Sequence, residues 1–229
     1  MQKTMKQNFR IRFSGAKKER WRRILAARKK EIENGAQREK NEFGGVFLLA
    51  FPELAEQFPW EDLSGAGWSF LLSGRPEFAE RCPWDELTGE DWSNLLQFRP
   101  QFAYKCDWEK LDGCAWGLLL QKQPLFAVRC PWEMLEGEDW RWLLEEQPQF
   151  ADKCPWEMLS AGNWCELLQA RPEFADRCPW GKLSGEDWCE LLRARPEFAD
   201  KCDWKKLYAN DWSRLLKKRP EFRARLREI

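Results

Sequence analysis

Apolar residues in this chain follow a helical spacing that starts afresh every 24 residues. In the stretch W-x-x-L-L, found at Trp68, Trp92, Trp116, Trp140, Trp164, Trp188 and Trp212, a Trp and two Leu stand at i, i+3 and i+4. Those positions share one face of a helix. In several copies a Ser or Thr stands four residues ahead, as in Ser184-Gly185-Glu186-Asp187 and Thr88-Gly89-Glu90-Asp91. An N-cap with an acid three residues on is a helix-start signal, here a capping box that uses Asp. Pro recurs at 76, 100, 124, 148, 172, 196 and 220. Its fixed φ and missing N–H end one helix and open the next at its first position. The following P-x-F-A-x-x-C predicts a second, short helix, and Pro or Asp then restarts the chain for W-x-x-L. Each unit therefore reads as a helix of about ten residues, a shorter helix and a one-turn segment.

A second Trp column, at 60, 84, 108, 132, 156, 180 and 204, keeps the same period. The unit is seen whole from Trp84 to Asp107 and covers residues 52 to 222, with a degenerate start where Phe47, Leu48 and Pro52 hold the matching columns. A β-solenoid or leucine-rich repeat has a similar period but needs alternation and β-branched residues. Between residues 43 and 222 these amount to Val46, Val128 and Thr88, with no Ile. The predicted fold is all-α: an α-solenoid of about seven 24-residue helical repeats, each too small to bury its own core without neighbours. Residues 1–43 read as a basic N-terminal arm and capping helix, 44–222 as the array, and 223–229 as a basic C-terminal tail. In the arm, Phe9, Ile11 and Phe13 alternate with Arg10 and Arg12, an extended piece. A helix follows from Ala16 to Glu33, stopped by Asn34-Gly35.

Composition narrows the chemistry. The 229 residues include no His, which removes His-based triads, general bases and metal sites. No G-x-S-x-G, no Gly-rich phosphate loop and no metal cluster is present, so catalysis and cofactors are not expected. No apolar run is long enough for a membrane span. The charged N-terminus lacks the apolar core of a secretory signal, so a cytoplasmic, reduced chain is expected. Of the nine Cys, Cys82, Cys106, Cys130, Cys154, Cys178 and Cys202 share one column and read as small buried thiols. Neighbouring layers are too far apart for disulfides. Acid pairs such as Glu90 and Asp91 fall in a first helical turn, where they complement the helix dipole.

The formal net charge of zero hides a segregation. Residues 1–40 carry fourteen basic and four acidic side chains, residues 41–200 fourteen and thirty, and residues 201–229 ten and four. In the arm, Lys17, Lys18, Arg20, Arg22, Arg23, Arg28, Lys29 and Lys30 surround an apolar stripe of Trp21, Ile24, Leu25 and Ile32. Such a helix can cap the array or reach nucleic acid or an acidic partner. Functional information otherwise lies where the repeats disagree. The second position after the helix Trp reads Phe70, Asn94, Leu118, Trp142, Glu166, Glu190, Arg214, and the sixth reads Gly74, Phe98, Lys122, Glu146, Ala170, Ala194, Lys218. Both columns face away from the Trp/Leu stripe. Phe70, Phe98, Leu118 and Trp142 are therefore candidate partner-binding residues, joined by Tyr104 and Leu125, with Val128 as a further apolar exception. Packing against the N-terminal segment is the alternative reading.

The pattern W-x-x-L…W-x-x-L-L…P-x-F-A-x-x-C-x-W, as in Trp156 through Trp180, resembles that of tandem Trp/Cys repeat proteins in bacterial genomes. The resemblance implies a bacterial or mobile-element setting and brings no activity with it. In architecture the chain is similar to short-helix α-solenoids such as the tetratricopeptide class, without their 34-residue period. The expected function is a non-catalytic protein-binding scaffold or adaptor. The alternatives are a nucleic-acid-associated protein acting through its basic ends, and an inhibitor whose acidic middle imitates a nucleic-acid backbone.

Overall fold

A computed structural model describes residues 42–227 together with Arg23. Eight α-helices occur among these residues. They are α1 (Glu42–Ala50), α2 (Gly65–Gly74), α3 (Gly89–Phe98), α4 (Gly113–Lys122), α5 (Gly137–Glu146), α6 (Ala161–Ala170), α7 (Gly185–Ala194) and α8 (Ala209–Lys218). Each is followed by a six-residue 3-10 helix that opens on the repeated Pro, such as Pro76–Arg81, and between successive α-helices a three-residue 3-10 turn opens on the first-column Trp, such as Trp84–Glu86. After α8 the last such helix is longer and runs from Pro220 to Arg227, so the expected boundary at residue 223 falls inside an element. No strand occurs among the described residues. None of their helices is long and apolar enough to cross a membrane. The chain is an all-α repeat protein of the solenoid type.

The array divides at Cys106/Asp107 into two compact units. In the first, α1 packs on α2 and α2 on α3; in the second, α4 to α8 pack each on the next. Capping starts each helix where the sequence signals it. Thr88 Oγ1 accepts from the Asp91 N–H at 3.2 Å while Asp91 Oδ2 accepts from the Thr88 N–H at 2.9 Å, and Ser184 and Asp187 repeat both bonds. Where no Ser or Thr is present, the Asp alone serves: Asp139 accepts from the Glu136 N–H at 2.9 Å and Asp211 from the Tyr208 N–H at 3.0 Å.

The core is one motif repeated in both units. The first-column Trp stacks on the helix Trp eight residues later, with ring centroids 5.2–5.4 Å apart and planes 14–22° apart. The repeat's Phe closes the other side at 5.2–5.3 Å, tilted 47–55°. The helix Trp and its two Leu are buried in each complete repeat before the last. Trp68, Trp92, Trp116, Trp140, Trp164 and Trp188 each bury an indole N–H that has no acceptor. That orphan costs about 1–3 kcal/mol. Burying an indole of roughly 150–250 Å² contributes about 4–6 kcal/mol, so burial wins.

Helix ends are closed by a device the sequence reading did not include. The residue before each repeated Pro is Arg or Gln, and its side chain reaches 26 residues back to a last-turn carbonyl of the preceding helix. In the first unit Arg99 Nε donates to the Ser73 carbonyl at 2.7 Å. In the second, Arg171 donates to Glu145 at 2.7 Å, Arg195 to Gln169 at 2.9 Å and Arg219 to Arg193 at 3.1 Å. These are carbonyls a helix leaves unpaired, at its negative end.

Helices approach closely through small residues. A Cβ on Gly45 would lie 2.3 Å from the Gly67 carbonyl oxygen, and one on Gly113 would lie 2.2 Å from that of Met134. The column just after the helix Trp is small for the same reason. Ser69, Ser93, Gly117, Cys165 and Cys189 are all buried there, and the Cys165 and Cys189 thiols donate to the Asp187 and Asp211 carbonyls of the next helix, both at 3.4 Å.

Two substitutions test this account by equilibrium denaturation. Trp164→Ala removes a fully buried indole and its stacking partner, with an expected loss of about 3–5 kcal/mol. Arg171→Ala leaves the Glu145 carbonyl without its charged donor, with an expected loss of about 1–2 kcal/mol. Equal losses for the two would contradict the ranking of aromatic packing above the ladder.

Candidate interaction surface

The outward columns are where the apolar exceptions stand. In the first unit Phe70 and Phe98 are exposed, at 47% and 70%, as is Tyr104 from the 3-10 helix Pro100–Lys105. Lys105 Nζ stands 5.5 Å from the Tyr104 ring centroid. In the second unit Leu125 and Val128 are exposed, Trp142 is 37% exposed, and Leu118 is half-buried. The structure brings two of the six candidates together. Leu118 of α4 and Trp142 of α5 line one open groove with Gln121, Glu145 and Glu146. They meet because the two helices stack in register, 24 residues apart, and both residues sit two places after a buried Trp. Leu125 is not among the groove's lining residues. Of the basic arm, Arg23 is helical and exposed; Lys17, Lys18, Arg20, Arg22, Arg28, Lys29 and Lys30 lie outside the described residues.

Beneath Trp142 lies a residue the sequence reading passed over. Arg141 occupies the small column that otherwise holds Ser, Gly and Cys, and its side chain is 8% exposed. The neighbouring helix leaves no room below it, so the guanidinium turns along the ridge and gathers carboxylates. Nη1 lies 2.7 Å from Glu145 and Nη2 pairs with Glu138. Nε lies 3.1 Å from Glu166 on α6, an ion pair whose angle is not that of a hydrogen bond. The guanidinium carbon stands 5.1 Å from the centroid of the Trp142 ring. Glu138 also accepts from the Asn163 amide at 2.6 Å. The hydrogen bond from Arg141 holds the Glu138 carboxyl below its usual range, against a weaker upward push from burial. Arg141 thus ties α5 to α6 and fixes the floor on which Trp142 rests. The signal for it was in the sequence: one long charged side chain in a column of small residues.

The cysteine column behaves as inert packing. Burial pushes the thiols of Cys82, Cys130, Cys154, Cys178 and Cys202 up to about 12 and that of Cys165 up to about 11. Cys82, Cys130, Cys154 and Cys178 are buried, whereas Cys106 and Cys202 are half-buried. The half-buried pair are the two column cysteines followed by Asp, in Cys106-Asp107 and Cys202-Asp203; the others precede Pro. Cys114, outside the column, is exposed. Comparison with protein-family models, with curated proteins and with solved structures finds no match.

Thiol reagents react through the thiolate. At pH 8 the native protein is therefore expected to label fast at Cys114 and slowly at the five column thiols held near 12, with full labelling after denaturation. Fast native labelling of Cys82, Cys130, Cys154 and Cys178 would contradict the burial. Arg141→Ser restores the column's usual residue and removes three ion pairs. Its expected cost is about 1–3 kcal/mol at pH 7. A carboxyl whose pKa is lowered by folding contributes stability above its ordinary value of 4.5 and loses it as pH falls through the folded value. The gap between wild type and Arg141→Ser should therefore narrow below about pH 4 in urea titrations. A gap that widens on acidification would overturn this assignment.

Proposed function

We propose that the chain is a non-catalytic protein-binding scaffold whose docking surface includes the groove between Leu118 and Trp142. The observation that carries this reading is the meeting of two large apolar side chains at outward helix positions where water otherwise selects polar residues. Trp is enriched among the residues that dominate binding energy, particularly when its rim excludes water and its orientation is fixed beforehand. Arg141 supplies that fixing. Buried, undissociated thiols fit a reducing, cytoplasmic setting.

A second reading, association with nucleic acid, is favoured by the cations at the C-terminal end. Lys205, Lys217, Lys218 and Arg223 are all exposed there. Binding of that kind weakens steeply with salt, because phosphate contacts release counterions.

The test is affinity capture with the full chain, before and after nuclease treatment, compared with Trp142→Ala. Partners retained after nuclease and lost with Trp142→Ala are the expected result. Trp142 is outside the core columns, so the variant should lose less than about 2 kcal/mol of stability, against 3–5 for a buried aromatic. A larger loss assigns Trp142 to packing, and loss of all partners on nuclease treatment moves the function to the basic end.

A further inference from the structure

We infer that the groove's occupant is a cationic amphipathic segment of a partner protein, with one large apolar side chain seated between Leu118 and Trp142 and Lys or Arg residues reaching Glu146 and Glu166. The inference rests on the protein-binding reading above and adds the chemistry of the partner. Its basis is the charge around the groove. Four carboxylates surround Trp142, those of Glu138, Glu145, Glu146 and Glu166, against two cations, Arg141 and Lys122.

The two cations differ in what they leave available. Arg141 is buried and holds Glu145, itself 26% exposed, so neither offers much to a ligand. Lys122 meets Glu146 at 3.8 Å with both side chains 56% exposed. A solvated pair of that kind is worth at most about 1 kcal/mol and yields readily to a competitor. Glu166 is 60% exposed and shares Arg141 with two other carboxylates. Glu146 and Glu166 are thus unspent negative charge on either side of an apolar anchor point.

The acidic zone has an edge. Glu190, the next residue along the Glu166 column, is bridged by Arg193 at 2.9 Å and by Arg214. Beyond it stand Arg214, Lys217 and Lys218 on α8, which repel a cationic ligand. Packed helices lie about 8–10 Å apart, so Trp142 and Glu166 are separated by roughly two turns of a bound helix. A segment carrying an aromatic or aliphatic anchor with Lys or Arg one and two turns away matches this spacing. An anionic ligand, including a nucleic-acid backbone, does not.

The experiment uses the full-length chain and four labelled synthetic peptides of equal length, read by fluorescence anisotropy at low and high salt. One peptide carries a Trp with Lys at helical spacing; the others have the Lys replaced by Gln, the Trp by Ser, or the Lys by Glu. The Trp/Lys peptide is expected to bind at least about tenfold more tightly than each of the others at low salt, with affinity falling as salt rises. Trp142→Ala should weaken it about tenfold or more. Glu146→Gln combined with Glu166→Gln should weaken it and flatten the salt dependence, while circular dichroism stays unchanged. Equal binding of the Gln peptide, undiminished binding of the Ser peptide, or no binding by any peptide would overturn the inference. If capture of cellular partners still depends on Trp142 in that case, the scaffold reading stands and the proposed partner chemistry alone fails.

Discussion

Every repeat is organised around a sandwich of three rings: the turn Trp stacked on the helix Trp and closed by the Phe of the 3-10 helix. Two indoles eight residues apart can stack only if the chain reverses between them, which the short turn and capped helix start achieve. A Phe eighteen residues from the turn Trp can close the stack only if a Pro ends the helix where it does. The 24-residue period is therefore the contour length of chain needed to bring three aromatic rings into one place. It costs an orphaned indole N–H in each buried helix Trp, a penalty that the buried ring area exceeds.

The same constraint decides which positions can vary. The residue after the helix Trp meets the next helix and must be small, as Ser93, Gly117, Cys165 and Cys189 are. Arg141 breaks the rule and survives because three carboxylates on two helices receive its charge. A buried guanidinium with half-exposed partners adds less stability than a buried Leu would. What it adds is orientation, since the ring of Trp142 lies against it and the groove with Leu118 has a fixed wall.

The last helix shows the repeat without a successor. Leu216 is half-buried, although its equivalents Leu72, Leu96, Leu120, Leu144, Leu168 and Leu192 are completely buried, and Ser213 and Ala209 are exposed. The bond network nevertheless runs to the end. Arg219 still caps the Arg193 carbonyl, and Arg225 lies 3.6 Å from Asp200. Burial is thus a property of stacked neighbours rather than of the single unit, as one-dimensional repeat energetics requires.

Local chemistry made much of this legible. The i, i+3, i+4 stripe of Trp140, Leu143 and Leu144, the Thr88 and Ser184 caps and the recurring Pro determined the helices, their ten-residue length and the all-α class. These signals act within a few residues, and no long-range contact competes with them. Outward-facing columns were legible for the same reason, because helix geometry alone puts Phe70, Phe98, Leu118 and Trp142 away from the buried stripe. What the tertiary structure decided is which of these meet. Leu118 joins Trp142 because α4 and α5 stack in register, and no spacing within one helix states that. The turn of Arg141 toward Glu166, the reach of Arg171 to a carbonyl 26 residues back, and the half-burial of Cys202 likewise depend on how one repeat lies against another. Helix periodicity fixes a side chain's direction around its own axis, but the distance to the next helix is set by the side chains packed between them, which a single repeat does not contain.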